Sequence, residues 1–367
     1  MNTSEKMKPR FISFGAIGQF RNVIRDISHA ARCDGFDENG EPIYDNDIRL
    51  PKLAAIGSEK IHGTNAAVCY NDHIGLWAQS RKNIITVDND NAGYAKWVQE
   101  NKLEWMEIIQ NLSFEHGIDL VDKNIISIFM EWCGGNIQKN SAVSGLDKRA
   151  VIFQHFKISP LIEDNECSDE WVETRVGNEW IYNSENNIFN IMNGFVWRLE
   201  IDFENPLLSQ NRMLEIVKEA IEPNSPLGEL MGKKNNVGEG LVFTLRYKNK
   251  LHRFKVKGEK HSKTKVKTLK VVDEAKENAK IEFANYACSA SRLEQAWQTV
   301  FGLENEKLEP SIKSTGDFLR VVFKDIIKEE SDILDQKNLI MKDVQGKIAQ
   351  IARRWFIAQL DEIAEIV

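Results

Sequence analysis

The sequence predicts an α+β architecture: a domain built on largely antiparallel sheets with interleaved helices, followed by an all-α domain. Three observations carry this. Between about residue 51 and 258 the apolar segments are short, β-branched and punctuated by Gly, Asn and Asp, the pattern of strands and turns. Beyond about residue 270 they lengthen and take helical spacing. At 367 residues the chain also exceeds what one hydrophobic core usually serves, so two domains are expected.

Residues 1–50 read as an amino-terminal extension packed on the domain that follows. An amphipathic stretch, "FGAIGQFRNVIRDISHAAR", leads into the turn-rich "CDGFDENGEPIYDNDIRLP". The "DENGE" spacing superficially suggests a calcium loop, but the alternating oxygen ligands and terminal Glu are missing, so a polar hairpin turn is expected. The domain spanning 51–268 contains the strand candidates "KLAAIG", "NAAVCY", "IGLWAQS", "IISIFMEW", "AVIFQHFKI", "EGLVFTLRY" and "LHRFKVKG". Between them, "AGYAKWVQENKLEWMEIIQNL" and "NRMLEIVKEAIE" have helical spacing, which favours a mixed rather than an alternating βαβ order. The helical domain spans 269–367. Its first segment carries apolar residues at 284, 287, 288, 293, 296, 297, 300 and 301, and its last predicts a stripe of Val344, Ile348, Ile351, Trp355 and Ala358.

Hydrophobic residues make up 42% and charged residues 28%, with no apolar run near the roughly 20 residues of a membrane span and no signal-peptide pattern. A soluble, cytoplasmic monomer without membrane contact is expected. Five scattered cysteines without CxxC spacing indicate reduced thiols rather than a zinc or redox site. A net charge of −7 excludes a chain that coats nucleic acid indiscriminately. Yet residues 232–270 hold thirteen Lys or Arg against two acids, Glu239 and Glu259. That strip suits a phosphate-rich ligand, or an edge strand guarded by lysines.

The chemistry centres on "GSEKIHGTNAAVCY". Lys60 lies in a turn between two strand candidates, and a lysine so placed becomes a nucleophile if desolvation or neighbouring positive charge makes it shed a proton. "FMEWCGG" puts Glu131 at a strand end before a glycine turn, and "GEGLVF" puts Glu239 at a strand start. "FKVKG" projects Lys255 and Lys257 from one strand face. Two acids for a divalent metal or ribose hydroxyls, with a lysine pair for phosphate, would complete a nucleoside-triphosphate site. Taken singly, each has a plainer reading as a surface acid or an edge-strand charge.

In this order, "EKIHGTN", "FMEWCGGNIQKN", "VIFQHFKI", "GEGLVF" and "FKVKG" resemble motifs I, III, IIIa, IV and V of covalent nucleotidyltransferases. The resemblance is to ATP-dependent RNA ligases of the phage RNA ligase 2 family, related to the trypanosome RNA-editing ligases. The histidine of "KIHG" and the "IQKN" after motif III are similar to the RNA branch. The resemblance implies an ATP-grasp-like nucleotidyltransferase domain whose Lys60 becomes a lysyl-adenylate, with Mg²⁺ or Mn²⁺ as cofactor. It implies that Lys255 and Lys257 contact the AMP phosphate and help Lys60 lose its proton, that Glu239 serves the metal, and that Glu131 binds ribose. His62 and Asn65 match positions near the phosphate and the metal waters, and Glu59 and Ile61, flanking the lysine, join the nucleotide-binding set. Phe153 would stack on adenine, although a core phenylalanine in a strand reads equally well. Ser80 and Arg81 resemble motif Ia, whose arginine contacts the nucleotide or the 3′-OH strand; a hairpin arginine is the alternative.

The chain also departs from the family pattern. Motif IV often ends in lysine, but "EGLVFT" has Thr244 there, with Arg246 on the same strand face as the candidate replacement. The segment before motif I is longer than in the phage prototype. In the helical domain, Arg292 and Asp325 fall on apolar stripes, which predicts an ion pair between packed helices. "NYACSASRLE" and "VVFKDIIKEE" also resemble phage segments in which an arginine and an aspartate matter for sealing. The implied partner is nicked duplex RNA or an RNA/DNA hybrid with 3′-OH and 5′-phosphate ends, in the host cytoplasm if phage-encoded. A DNA ligase, an mRNA guanylyltransferase and a non-catalytic nucleic-acid module are the alternatives.

Overall fold

Alternating apolar residues build two sheets, and the chain crosses from one to the other at Lys60. The computed structural model describes residues 7–38, 40–45, 47–121, 123–138, 141–162, 168–234, 236–258, 271–301 and 309–366. The expected 268/269 boundary, Cys167, the end of "IQKN" at Lys139 and Asn140, and the basic strip beyond residue 258 lie outside them. Two units emerge, Met1–Val23, Leu53–Ile201 and Arg212–Leu269 in one, and Ile24–Lys52, Asp202–Asn211 and Lys270–Val367 in the other.

In the first unit, a four-stranded sheet runs in the order Val196–Asp202, Lys52–Glu59, Gly240–Tyr247, Lys250–Lys257. The last two form a hairpin in which Gly240 faces Lys257, Val242 faces Lys255 and Thr244 faces Arg253. The larger sheet has the spatial order Glu170–Glu173, His155–Pro160, Asn124–Cys133, Thr64–Asn71, Gly75–Ser80, Ile84–Ile85. Arg149–Ile152 shares an edge of Asn124–Cys133 with His155–Pro160, and Ile188–Asn190 joins it in parallel, the exception to an antiparallel pattern. The expected continuous strand "AVIFQHFKI" is therefore two strands broken at Phe153 and Gln154, where the Phe153 amide bonds the Phe129 carbonyl at 3.0 Å.

The helices Tyr94–Glu100 and Lys102–His116 cover this sheet, burying Tyr94, Trp105, Ile109 and Leu112 against Val68, Ile126, Ile128 and Met130. A single helical pattern becomes two helices because the Asn101 side chain bonds the Trp97 carbonyl at 2.8 Å, competing with the backbone. The helix Pro206–Ile216 runs on into a π turn, Val217–Ile221.

The second unit contains a hairpin of Cys33–Phe36 with Pro42–Tyr44, as the polar turn predicts. Its helices include most of Phe20–Arg32, then Glu274–Ala287, Ala290–Phe301, Thr315–Glu329, Ser331–Gln336 and Met341–Ile366. Phe283, Ala287, Leu293, Phe318, Val322, Ile326, Val344 and Ile348 form its core. Along the last helix the buried stripe continues through Ala352 and Phe356, while Ala358 is exposed. The fully buried seam follows steps of four, and the expected Ile351 and Trp355 pack partly buried beside it. Among the described residues, no helix is long and apolar enough to cross a membrane.

Candidate active site

The crossing between sheets places Lys60 where both contribute side chains. Its amide donates to the Gly240 carbonyl at 2.8 Å, and three residues later Gly63 brings the chain against the larger sheet. A Cβ on Gly63 would lie 2.4 Å from the Trp132 carbonyl oxygen and 2.8 Å from the Cys133 Cβ, so only glycine fits. Gly240 is under the same constraint, with a positive φ and the Val256 carbonyl oxygen 2.1 Å from where a Cβ would lie.

Glu239 is the hub. Its Oε2 accepts from Lys60 Nζ at 2.6 Å and lies 3.3 Å from His62 Nδ1, and its Oε1 pairs with Lys257 Nζ at 2.7 Å. Burial alone would raise the Glu239 pKa, but the His62 hydrogen bond, the Lys60 charge and the Lys257 bond outweigh it and hold the carboxyl well below its usual range. Burial dominates at Glu131 and pushes it up to about 7, against the Lys60 charge and the bond its Oε1 accepts from the Gly63 amide at 2.9 Å. Asn65 faces Glu131 across the sheet. Lys255 lies on the same strand face as Lys257, its pKa lowered by burial and then by Lys257 and Lys60. Arg81, exposed in the turn after Gly75–Ser80, adds to the positive field on Lys255.

A cavity between the sheets is lined by Phe14, Ser58, Lys60, Glu131, Phe153, His155, Thr244 and Arg253, among others. Phe153 reaches it from the strand break and meets Phe14 at 5.1 Å between ring centroids. Two expected residues, Glu59 and Ile61, also line the cavity and have further partners. Glu59 is buried, its carboxylate accepting from Ser225 Oγ and, at 2.9 Å, from the Leu227 amide, so its side chain ties the Pro226–Leu230 helix down. Ile61 packs in a core with Cys133, Val143 and Val151. Arg246 does not line the cavity; it donates to the Trp171 carbonyl at 2.9 Å. Sequence reasoning missed Arg253, whose signal is the period-two run of cations at 253, 255 and 257. It also missed that the amino-terminal segment reaches the cavity with Phe14 and Ile17; the segment is anchored by the Ile12 amide on Gln79 Oε1 at 3.1 Å and the Gly18 amide on the Arg253 carbonyl at 3.0 Å.

In the second unit, Arg292 and Asp325 form an ion pair at 2.7 Å. The Arg292 fork also bonds the Ala287 carbonyl at 2.7 Å and pairs with Glu330. It thus ties Ala290–Phe301 to Thr315–Glu329.

No three His, Cys, Asp or Glu side chains among the described residues cluster into a metal cage. Glu239 and Glu131, both hard oxygen donors acting on Lys60, still fit Mg²⁺, which binds through one or two carboxylates together with substrate phosphates.

The model of the RNA ligase family matches residues 54–257, more than half of the chain and the whole span from motif I to motif V. The chain belongs to the RNA ligase family. No curated protein matches it. Among solved structures it is similar to a Naegleria gruberi RNA ligase with pyrophosphate, at 17% identity and a TM-score of 0.38 over 69% of this chain and 58% of that one. A mutant of that enzyme with ATP and Mn gives 14% identity and a TM-score of 0.39 over the same shares. The chain thus spans less than two thirds of the length of these RNA ligases. Within the family match fall Lys60, Glu131, Glu239, Lys255 and Lys257, while Arg292 and Asp325 lie beyond it.

Proposed function

We propose that the protein is an ATP-dependent RNA ligase working through a lysyl-adenylate on Lys60. One observation carries the reading: Lys60 Nζ sits 2.6 Å from Glu239, inside a ring of Lys257 and His62, at the mouth of a cavity with an aromatic wall. ATP would lie with its base against Phe153 and its ribose toward Glu131. Lys60 leaves Glu239, gives its ammonium proton to solvent, and attacks the α-phosphorus through the neutral nitrogen; the N–P bond forms as the bond from that phosphorus to pyrophosphate breaks. Lys255 and Lys257 offset the charge that builds on the phosphoryl oxygens. An oxygen of an RNA 5′-phosphate then attacks the same phosphorus and releases Lys60. Finally an RNA 3′-hydroxyl attacks the activated 5′-phosphate and expels AMP.

Mg²⁺ or Mn²⁺, held by Glu239 with Asn65 and Glu131 alongside, would neutralise phosphate charge. The substrate class we propose is a nick in duplex RNA or an RNA/DNA hybrid, read through backbone shape and 2′-hydroxyls. Arg292 and Asp325 would serve it by positioning, since their pairing fixes two helices. The expected location is cytoplasmic and the expected state monomeric.

Intact-protein mass after incubation with ATP and Mg²⁺ tests the first step. A gain of one AMP in the parent and none in Lys60→Ala is expected. If neither gains mass, even after pyrophosphate has stripped any pre-bound AMP, the ligase reading fails and a nucleic-acid binding module takes its place.

A further inference from the structure

Thr244 stands where the family often has a lysine, and the structure supplies a cation there from the opposite strand. Arg253 is the register partner of Thr244 and shares its strand face with Lys255 and Lys257. It lies four positions before Lys257, roughly 13 Å along a strand, at the end of the cavity away from the Lys60–Glu239 pair. Its guanidinium is clamped between aromatic faces, 3.9 Å from the Trp171 centroid and 4.8 Å from that of Phe14. No carboxylate among the described residues pairs with it, and its Nη2 is buried without a hydrogen-bond partner. His155, lining the same cavity, leaves Nδ1 equally unpartnered.

A buried donor without an acceptor is rare because it forfeits its hydration, and at a cavity wall the missing acceptor is most simply a ligand atom. Arginine is donor-only, and a purine ring presents acceptor nitrogens along its edges. Phe153, in the same wall, supplies the face on which such a ring lies flat. Burial, with Arg253 and Arg246 nearby, pulls the His155 pKa down to about 3, so His155 is neutral and presents one donor and one acceptor nitrogen. Burial and Arg246 also pull Arg253 down to about 9, which leaves it charged at neutral pH.

Resting on the ATP reading above, we propose that Arg253 reads the base of the nucleotide, its free Nη2 donating to a ring nitrogen of adenine. Clamping by Trp171 and Phe14 fixes the direction of that N–H, and the amino-terminal segment that carries Phe14 is thereby part of the nucleotide site.

The test is metal-free equilibrium binding of ATP and of 1-deaza-, 3-deaza- and 7-deaza-ATP to the full chain and to Arg253→Met. One analogue is expected to bind the parent roughly 10- to 150-fold more weakly than ATP, the range for a hydrogen bond to a charged group. Arg253→Met is expected to bind ATP more weakly by a similar factor and to bind that analogue no worse than ATP. The proposal is overturned if all three analogues bind the parent within about twofold of ATP, or if the penalty persists in Arg253→Met. Should Arg253→Met fail to fold, Arg253→Lys completes the comparison, and the parent series still decides on its own. Binding without adduct formation sinks the adenylylation reading and leaves the deaza series to judge Arg253; no binding of any nucleotide overturns both.

Discussion

Replacing Glu239 with Gln removes the one anion that three basic groups share. Breaking a buried ion pair by deleting one partner costs about 3–5 kcal/mol when the other charge stays buried. Here Lys60 and Lys257 keep 20% and 27% side-chain exposure and can rehydrate, and His62, at 40%, is largely screened. A loss of about 2–3 kcal/mol is therefore expected for Glu239→Gln, which for a unit of this size lowers Tm by roughly 4–12 °C. The pH dependence carries a sign. Glu239 is held below its ordinary range in the folded state, so its contribution is present above the unfolded value of 4.5 and is lost as pH falls below it. Thermal unfolding of parent and variant from pH 8 to pH 3.5 should show a gap that is steady down to about pH 5. It should then narrow by up to about 1.4 kcal/mol per pH unit. A variant melting within 1 °C of the parent at pH 7.5, or a gap that widens in acid, would refute the hub assignment.

Two further outcomes follow from the same site. Gly63→Ala forces a Cβ to within 2.4 Å of the Trp132 carbonyl oxygen, so a loss of about 1–3 kcal/mol and slower adenylylation are expected; an unchanged Tm with parental adduct formation would reject the fit at Gly63. Burial raises Glu59 and Glu131 to about 7, so each contributes stability that is complete below about pH 4.5 and is lost as pH rises through about 7. For Glu59 that loss amounts to up to about 3 kcal/mol. Glu59→Gln should make the fall in stability between pH 5 and 8 shallower, and a slope equal to the parent's would mean that the bonds from Ser225 and Leu227 keep Glu59 ionised.

Much of the site was legible because its residues sit at fixed offsets from strand ends. Lys60 and Gly63 are bound to a turn, Glu131 and Glu239 to the end and start of strands, and Lys255 and Lys257 to one face by a period of two. Glu59 lines the cavity as its place beside Lys60 suggests, but its bonds to Ser225 and Leu227 were not legible, since they join residues 166 and 168 positions apart. Arg246 was expected in place of the motif IV lysine and Arg253 was missed, because faces along one strand say nothing of which arginine reaches across a hairpin. Register placed Arg253 opposite Thr244, and Trp171 drew Arg246 to its carbonyl.

By itself the sequence determined the strand-rich region and the helices after it, the ordered motifs, and the Arg292–Asp325 pairing, because periodicity and short-range spacing are local properties. Only the tertiary structure decided that Phe14 joins the cavity beside Lys60, that Lys60 lies at the crossing of two sheets, and that one buried carboxylate gathers Lys60, His62 and Lys257. Those contacts join residues far apart in the chain, 179 positions for Lys60 and Glu239, and only packing the two sheets together brings their side chains within reach.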